Sequence, residues 1–341
     1  MNSFRIHPYF GYVITPGVRV EDYLGEDRIR GMTLAVDSTY DKEWLSVKSN
    51  SNGFFSNYDY PYFSNDEYIV GVFGGSCAQF FALQRHSSLA NKIEWLGLSK
   101  RKKVKIFNFS LPAFMQPQIN YCYQYFITRR QQIDLALCIN GFNEMALPGI
   151  NLAYNYALSM PSHHVIGRFQ DDIFHDPFNS EIDIEENIVK NFIISTNIFQ
   201  IFSSFSSTKF LHILQPNQYY CGKTFSEFEL AHAINQSSPY KPFIEIYYPQ
   251  LISELKNFYI DNPSHYLDAT QVFDETTDTI YCDSCCHYNV YGNSILESAI
   301  LNKLQNETYS IKSDKKQNII TKFVEKITNN KDKQKDIYSS W

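Results

Sequence analysis

Residues 68–78, YIVGVFGGSCA, constrain this chain most tightly. An apolar run rich in β-formers (Ile69, Val70, Val72, Phe73) ends in Gly74-Gly75; Ser76 follows at once, and a helix-compatible segment, CAQFFALQ, begins at Cys77. That order reads as strand, sharp turn and helix. It sets the Ser76 hydroxyl at the carboxyl edge of a sheet, where ligands of open α/β folds bind, and its backbone N–H at a helix start, where negative charge is favoured. Ser76 is therefore a candidate nucleophile. The same residues also suit a plain turn in which glycine relieves strain and serine caps the helix, so the choice depends on whether a base and oxyanion donors follow downstream.

The alternation continues along the chain. A helix to about residue 89, a basic connector at 100–103 and a second apolar run at 104–109 make a β-α-β unit, which implies a parallel sheet with a right-handed crossover. A helix at 117–129, with Pro117 in its first turn, leads to a third strand at 135–139. A helix at 184–205 leads to a fourth strand at 210–214, and one at 243–260 to a short fifth strand at Val272-Phe273. A last helix covers 293–304.

Three regions stand outside this alternation. Residues 1–67, with short apolar patches at 12–14 and 32–36, predict an irregular, strand-containing extension beside the sheet edge, its Asn52-Gly53 turn sending Phe54 and Phe55 into the core. No chemistry is evident there. Residues 145–182 hold Pro148, Gly149, Pro161, Pro177, the His163-His164 pair and His175, and predict a long loop or lid inserted in a core domain of residues 68–304. Residues 305–341 read as a polar, partly helical tail with one amphipathic patch at 319–327.

With a net charge of −6 and no basic face interleaved with aromatics, nucleic acid is a poor candidate partner. No apolar run approaches the ~18 residues that span a membrane, and the first residues lack the basic-then-apolar pattern of a signal peptide. Seven cysteines, an odd number in a large chain, fit reduced thiols better than a disulfide framework. A cytoplasmic protein without a transmembrane segment is the expectation.

In a doubly wound sheet the groups after strands one, two, three and five share one crevice. Here they are Ser76, the turn at 110–113, Asn143, and Asp283 with His287. A hydroxyl, an imidazole, a carboxylate to orient it and donors for an oxyanion are the inventory of acyl transfer. Gln215 and Asn217, just after strand four, read either as substrate contacts or as a loop-closing turn.

These blocks resemble the SGNH (GDSL-like) hydrolase superfamily. Gly74-Gly75-Ser76 matches its Gly-x-Ser block, with Gly75 where the name-giving Asp stands; Asn108, Ser110 and Ala113 occupy the places of its Asn-x-Gly-x-x-Gly turn. Gly141-Phe142-Asn143-Glu144 matches Gly-x-Asn-Asp, and Asp283-Ser284-Cys285-Cys286-His287 approximates Asp-x-x-His. The resemblance spans about residues 66–304. It implies a three-layer α/β/α sandwich with a five-stranded parallel, flavodoxin-like sheet, and a serine esterase removing O-acyl groups, O-acetyl first among them, from a carbohydrate or similar small ester. Ser76, His287 and Asp283 would be catalytic; the N–H groups of Ser76 and Ala113 and the side-chain amide of Asn143 would form the oxyanion hole; Gly75 and Gly141 would line the substrate site. No cofactor is implied.

Three departures from the pattern have physical consequences. Gly75 replaces an Asp that is not the attacking group. Ala113 replaces a Gly whose contribution is a backbone N–H, which Ala keeps, losing only conformational freedom. Asp283 lies four residues before His287 instead of three, with Ser284 at the family position; residues four apart share a face if the loop is helical. A Ser-His dyad oriented by Ser284 or the backbone is the alternative. An O-acyltransferase using the same Ser-His machinery and a non-catalytic carbohydrate-binding protein are the rival functions. Cys282, Cys285, Cys286 and His287, with Cys221, have the residue types of a zinc site but lack a second paired Cys motif, so no metal is expected and Cys77 reads as an inward-pointing thiol.

Overall fold

The computed structural model describes residues 3–34, 42–153 and 184–310. The chain divides into a unit of residues 1–303 and a second of residues 304–341, of which 304–310 are described and helical. The first residues form an antiparallel hairpin, β1 (Phe4–His7) and β2 (Gly11–Ile14), followed by two short helices, α1 (Val20–Leu24) and α2 (Glu26–Met32). The apolar run before Ser76 then forms β3 (Glu67–Gly74), buried over nearly its whole length as a strand covered on both faces must be.

From β3 each strand is joined to the next by one or two α-helices among the described residues. Helix α3 (Ser76–Trp95) leads to β4 (Lys103–Asn108), α4 (Gln118–Ile127) to β5 (Leu135–Asn140), and α5 (Phe142–Ala153) and α6 (Ile184–Phe205) to β6 (Lys209–Leu214). After α7 (Glu227–His232) and α8 (Lys241–Phe258) come β7 (Tyr266–Asp268) and α9 (Val290–Ser310). The five strands run parallel in the order β4-β3-β5-β6-β7, with Val72 of β3 opposite Asn108 of β4 and Leu137 of β5. This is the flavodoxin-like order, and its switch point lies between β3 and β5, where the connections leave in opposite directions. Helices flank the sheet in three layers. Arg85 of α3 pairs with Glu297 of α9 at 2.8 Å, while α6 packs on α4, α8 and β6. Among the described residues, no helix is long and apolar enough to cross a membrane.

Two expectations are corrected here. The fifth strand is Tyr266–Asp268, which pairs with residues 212–214 of β6; Val272 and Phe273 sit in a turn closed by Val272 N–H to Ala269 O at 3.1 Å. Phe273 is buried in that turn, so its apolarity imitated a strand. Residues 145–153 belong to α5 and are not loop. Pro148 removes one helical bond, and packing of α5 on α6 and α8 outweighs it; a Cβ on Gly149 would lie 1.9 Å from Phe243 of α8, so that glycine marks a close approach of helices. The remainder of the expected lid, with His163, His164 and His175, lies outside the described residues, as does the patch at 319–327.

The N-terminal residues pack against the carboxyl end of the sheet edge. Phe54 and Phe55 are fully buried, and the Asn108 amide at the end of β4 donates to Phe55 O at 3.0 Å. Tyr60 donates to Asn108 O at 2.6 Å, and its ring lies 4.6 Å from that of Phe109, which stacks on Phe73 of β3 at 4.9 Å. Stacked and tilted rings of this kind account for the burial of so many aromatics.

The segment leading to Asp283 is anchored by a buried ion pair. Glu229 accepts from Lys223 Nζ at 2.8 Å and from the backbone N–H groups of Ser226, Ile280 and Tyr281, and both charged side chains are wholly buried. Removing one partner of such a pair leaves the other charge uncompensated. Lys223→Met is expected to lower the unfolding free energy by about 3–5 kcal/mol in urea titration; a loss below about 1 kcal/mol would show that the backbone donors alone hold the carboxylate.

Candidate active site

The turn before Ser76 is set by two glycines. Gly74 has φ 148°, and a Cβ there would lie 2.1 Å from Ile139 O, so only glycine lets β3 end this close to β5. At Gly75 a Cβ would lie 2.3 Å from Asn143 Nδ2. The Asp that the family carries at this place therefore needs a different placement of Asn143, and Gly75 and Asn143 are matched to each other. Ser76 opens α3 and is half-buried.

His287 accepts or donates on both ring nitrogens. Its Nε2 lies 2.7 Å from Ser76 Oγ and its Nδ1 lies 2.6 Å from Asp283 Oδ2. With the carboxylate accepting Nδ1–H, the Nε2 lone pair faces the serine hydroxyl. The four-residue spacing is met without a helix: residues 283–286 form a bend, closed by Cys282 N–H to His287 O at 3.0 Å. Asp283 Oδ1 accepts Cys285 N–H at 3.0 Å and His287 N–H at 3.4 Å, so the carboxylate organises its own loop. The carbonyls of Asp283 and Ser284 accept from Gln218 Nε2 at 3.0 Å and Tyr219 Oη at 2.5 Å. Ser284 is thus engaged through its main chain, and the carboxylate stands beside His287.

Electrostatics follow from this arrangement. Burial pushes the Asp283 carboxyl up, but the charge and hydrogen bonds of His287, helped by Arg28, hold it far below the usual carboxylate range. Burial works against a charged His287, yet the Asp283 carboxylate outweighs it and lifts the imidazole to about 9. Arg28, on α2, reaches within 3.6 Å of Asp283 Oδ2. It comes from the region where the sequence shows no chemistry, and no local pattern around it points to this role.

The expected oxyanion donors lie at the start of α3, on the loop after β4 and at the start of α5. Ala113 is in the left-handed region at φ 57°, the conformation for which the family's glycine is suited. Neither its N–H nor that of Ser76 has a hydrogen-bond acceptor among the described residues. Asn143 donates one amide hydrogen to Phe114 O at 2.8 Å, which orients the side chain beside Gly75 and leaves the second hydrogen. Leu111 N–H to Gly74 O at 3.4 Å ties the two loops together. Glu144 joins the others: its two carboxylate oxygens accept Gln116 N–H at 3.0 Å and Gly141 N–H at 2.9 Å, and burial lifts its pKa to about 7. Its place after Asn143 in the third motif was the available signal.

Other expected site residues are placed more deeply. Gly141 is buried with its N–H given to Glu144. Gln215 is buried and donates to Cys77 Sγ at 3.5 Å; Asn217 is fully buried and accepts Tyr219 N–H at 3.0 Å, a turn-closing bond. Ser110 Oγ is spent on Val72 O. The thiols are grouped differently from the sequence pattern: ligand atoms of Cys77, Cys286 and His287 all lie within 4.8 Å of one another, whereas Cys221 and Cys282 turn to the carbonyls of Gln218 and His287.

No family model and no curated protein matches the sequence. Similar solved structures include a catalytic mutant of an acetylxylan esterase from Geobacillus stearothermophilus, at 12% identity, covering 72% of this chain and 96% of that one, with a TM-score of 0.40. A lipase/acylhydrolase from Enterococcus faecalis matches at 12% identity over 70% of this chain and 96% of that one, with a TM-score of 0.42. A psychrotrophic esterase from a Pseudoalteromonas species matches at 9% identity over 72% and 100%, with a TM-score of 0.39. Likenesses this distant carry no weight for the chemistry, which rests on the side chains above.

Two measurements follow. The NMR titration of the His287 ring is expected near pH 9, and in Asp283→Asn it should fall well below that, because burial is then opposed only by the weaker influence of the neighbouring thiols; an unmoved value would dissociate the two residues. Ala113→Gly is expected to raise the unfolding free energy by about 0.5–1 kcal/mol, the cost of a left-handed alanine less the extra unfolded-state freedom of glycine, and a loss of stability would contradict it.

Proposed function

We propose that the protein is a serine esterase that removes O-acyl groups, O-acetyl first among them, from a carbohydrate or similar small ester. One observation carries the reading: the continuous chain from Asp283 through His287 to Ser76 with contacts of 2.6 and 2.7 Å. His287 Nε2 takes the proton from Ser76 Oγ as the oxygen attacks the ester carbonyl. The resulting oxyanion is met by the N–H groups of Ser76 and Ala113 and the second amide hydrogen of Asn143. Collapse expels the alcohol, which takes the proton back from His287 and leaves an acyl-Ser76. Water, deprotonated by His287, then attacks the acyl carbonyl, and the carboxylic acid leaves as Ser76 Oγ regains its proton.

A four-residue spacing that kept Asp283 from His287 would favour a binding protein, whereas the bend at 283–286 meets that spacing with a short contact. The substrate class follows the superfamily resemblance of the motifs. All seven cysteines are unpaired, which suits a reducing compartment such as the cytoplasm.

Hydrolysis of p-nitrophenyl acetate and butyrate tests the reading. Ser76→Ala is expected to lose about 10⁴-fold or more, and Asn143→Ala about a hundredfold in kcat with little change in KM. Since only neutral His287 can accept a proton, activity should fall as pH drops below the His287 value near 9. Wild type no faster than Ser76→Ala on either ester would remove hydrolysis from consideration, and release of acetate from an acetylated oligosaccharide would identify the class of leaving group.

A further inference from the structure

The three thiols around the catalytic residues take no part in the proposed chemistry, yet they are packed together. Cys77 follows Ser76 directly and Cys286 precedes His287 directly, and their sulfurs lie 3.4 Å apart across 209 residues of chain. Cys285 Sγ lies 3.7 Å from Cys286 Sγ. Cys77, Cys286 and His287 are all buried, but half-buried Ser76 and Cys285 adjoin them.

A tetrahedral zinc site with Zn–S bonds of ~2.3 Å holds its sulfurs ~3.8 Å apart, so the Cys77–Cys286 pair has only to open by a few tenths of an ångström. Soft thiolates with an imidazole select zinc, cadmium or copper(I) over magnesium or calcium. The bond from Asp283 to Nδ1 leaves Nε2 as the nitrogen for an ion, and a carboxylate on the far side of a ligating histidine is the usual support for such a ligand.

We propose that Cys77 Sγ, Cys286 Sγ and His287 Nε2 form a binding site for one thiophilic d¹⁰ cation, zinc above all, whose occupation takes the imidazole away from Ser76. Two thiol protons, and below about pH 9 the Nε2 proton of His287 as well, are released to solvent as the bonds from the two sulfurs and the ring nitrogen to the metal form. The fourth position stays open to water or to Ser76 Oγ. The sequence pattern grouped Cys282, Cys285, Cys286 and His287 with Cys221 and no metal was expected there; the fold groups Cys286 and His287 with Cys77 instead. The binding site stands on geometry alone, while its inhibitory consequence rests on the proposed esterase reading.

The full chain, reduced and stripped of metal, is titrated with CdCl₂ and ZnCl₂. One Cd²⁺ per chain is expected, with the ultraviolet charge-transfer band of cadmium–thiolate bonds, and a higher melting temperature in its presence. Zn²⁺ should abolish p-nitrophenyl acetate hydrolysis, EDTA should restore it, and Mg²⁺ should do neither. Cys77→Ser and Cys286→Ser should each bind at least tenfold more weakly and resist zinc while hydrolysing the ester as wild type does; Cys221→Ser should behave as wild type throughout. If either serine variant fails to fold, the corresponding alanine variant replaces it, checked by its melting curve before titration. A band of equal strength in the Cys77 and Cys286 variants, or none in wild type, overturns the site. A band without inhibition overturns His287 as the third ligand. If wild type shows no hydrolysis at all, the band and the stoichiometry still decide the metal site, so the two proposals fail separately.

Discussion

The close approach of two strand ends governs the rest of this molecule. Gly74 at the end of β3 sits so near Ile139 O of β5 that no side chain fits, and Gly75 lies under the amide of Asn143 in the same way. Because the sheet is parallel, all its strand ends point to one edge, and the switch point between β3 and β5 opens a crevice there. The segments 74–76, 109–117 and 141–144 meet at that edge and hold one another through Leu111, Phe114, Asn143 and Glu144. Donors fixed in this manner need little reorganisation when charge develops on a reacting oxygen.

A second dependence is electrostatic. The Asp283 carboxylate is largely removed from water, which is unfavourable unless opposite charge and N–H groups replace the lost solvent. His287, Arg28 and two backbone N–H groups do so. The loop carrying it is held from outside by Gln218 and Tyr219, and the segment before it by Glu229 with its buried Lys223 partner. The order of His287 thus depends on contacts well removed from the imidazole itself.

The same packing explains why sulfur surrounds the site. Cys77 and Cys286 are chain neighbours of Ser76 and His287, and the fold that joins Ser76 to His287 also brings these thiols together. An imidazole oriented for proton transfer by a carboxylate on Nδ1 is equally oriented for a metal on Nε2. In the proposed esterase, proton transfer and the proposed soft-metal coordination would compete for one lone pair.

Much of the fold was legible because its signals are local. The apolar runs at 69–73, 104–109, 135–139 and 210–214, the glycines before Ser76 and the polar groups after each strand depend only on neighbours in sequence, and they gave the α/β class and the grouping of Ser76, Asn143, Asp283 and His287. Where neighbours mislead, tertiary contact decided: Phe273 is apolar because it is buried in a turn, and Pro148 stays helical because α5 is packed on two other helices. The manner in which Asp283 meets His287 was beyond the sequence, since a four-residue spacing is compatible with several loop shapes and only the bend, with its backbone donors to Oδ1, selects one. Arg28 beside Asp283, Cys77 beside Cys286 and Gly75 beneath Asn143 are pairs separated by 68 residues or more. Sequence alone determined which groups stand at strand ends; distances between groups far apart in the chain are set by the packing of the whole sheet and its helices, and those only the tertiary structure decided.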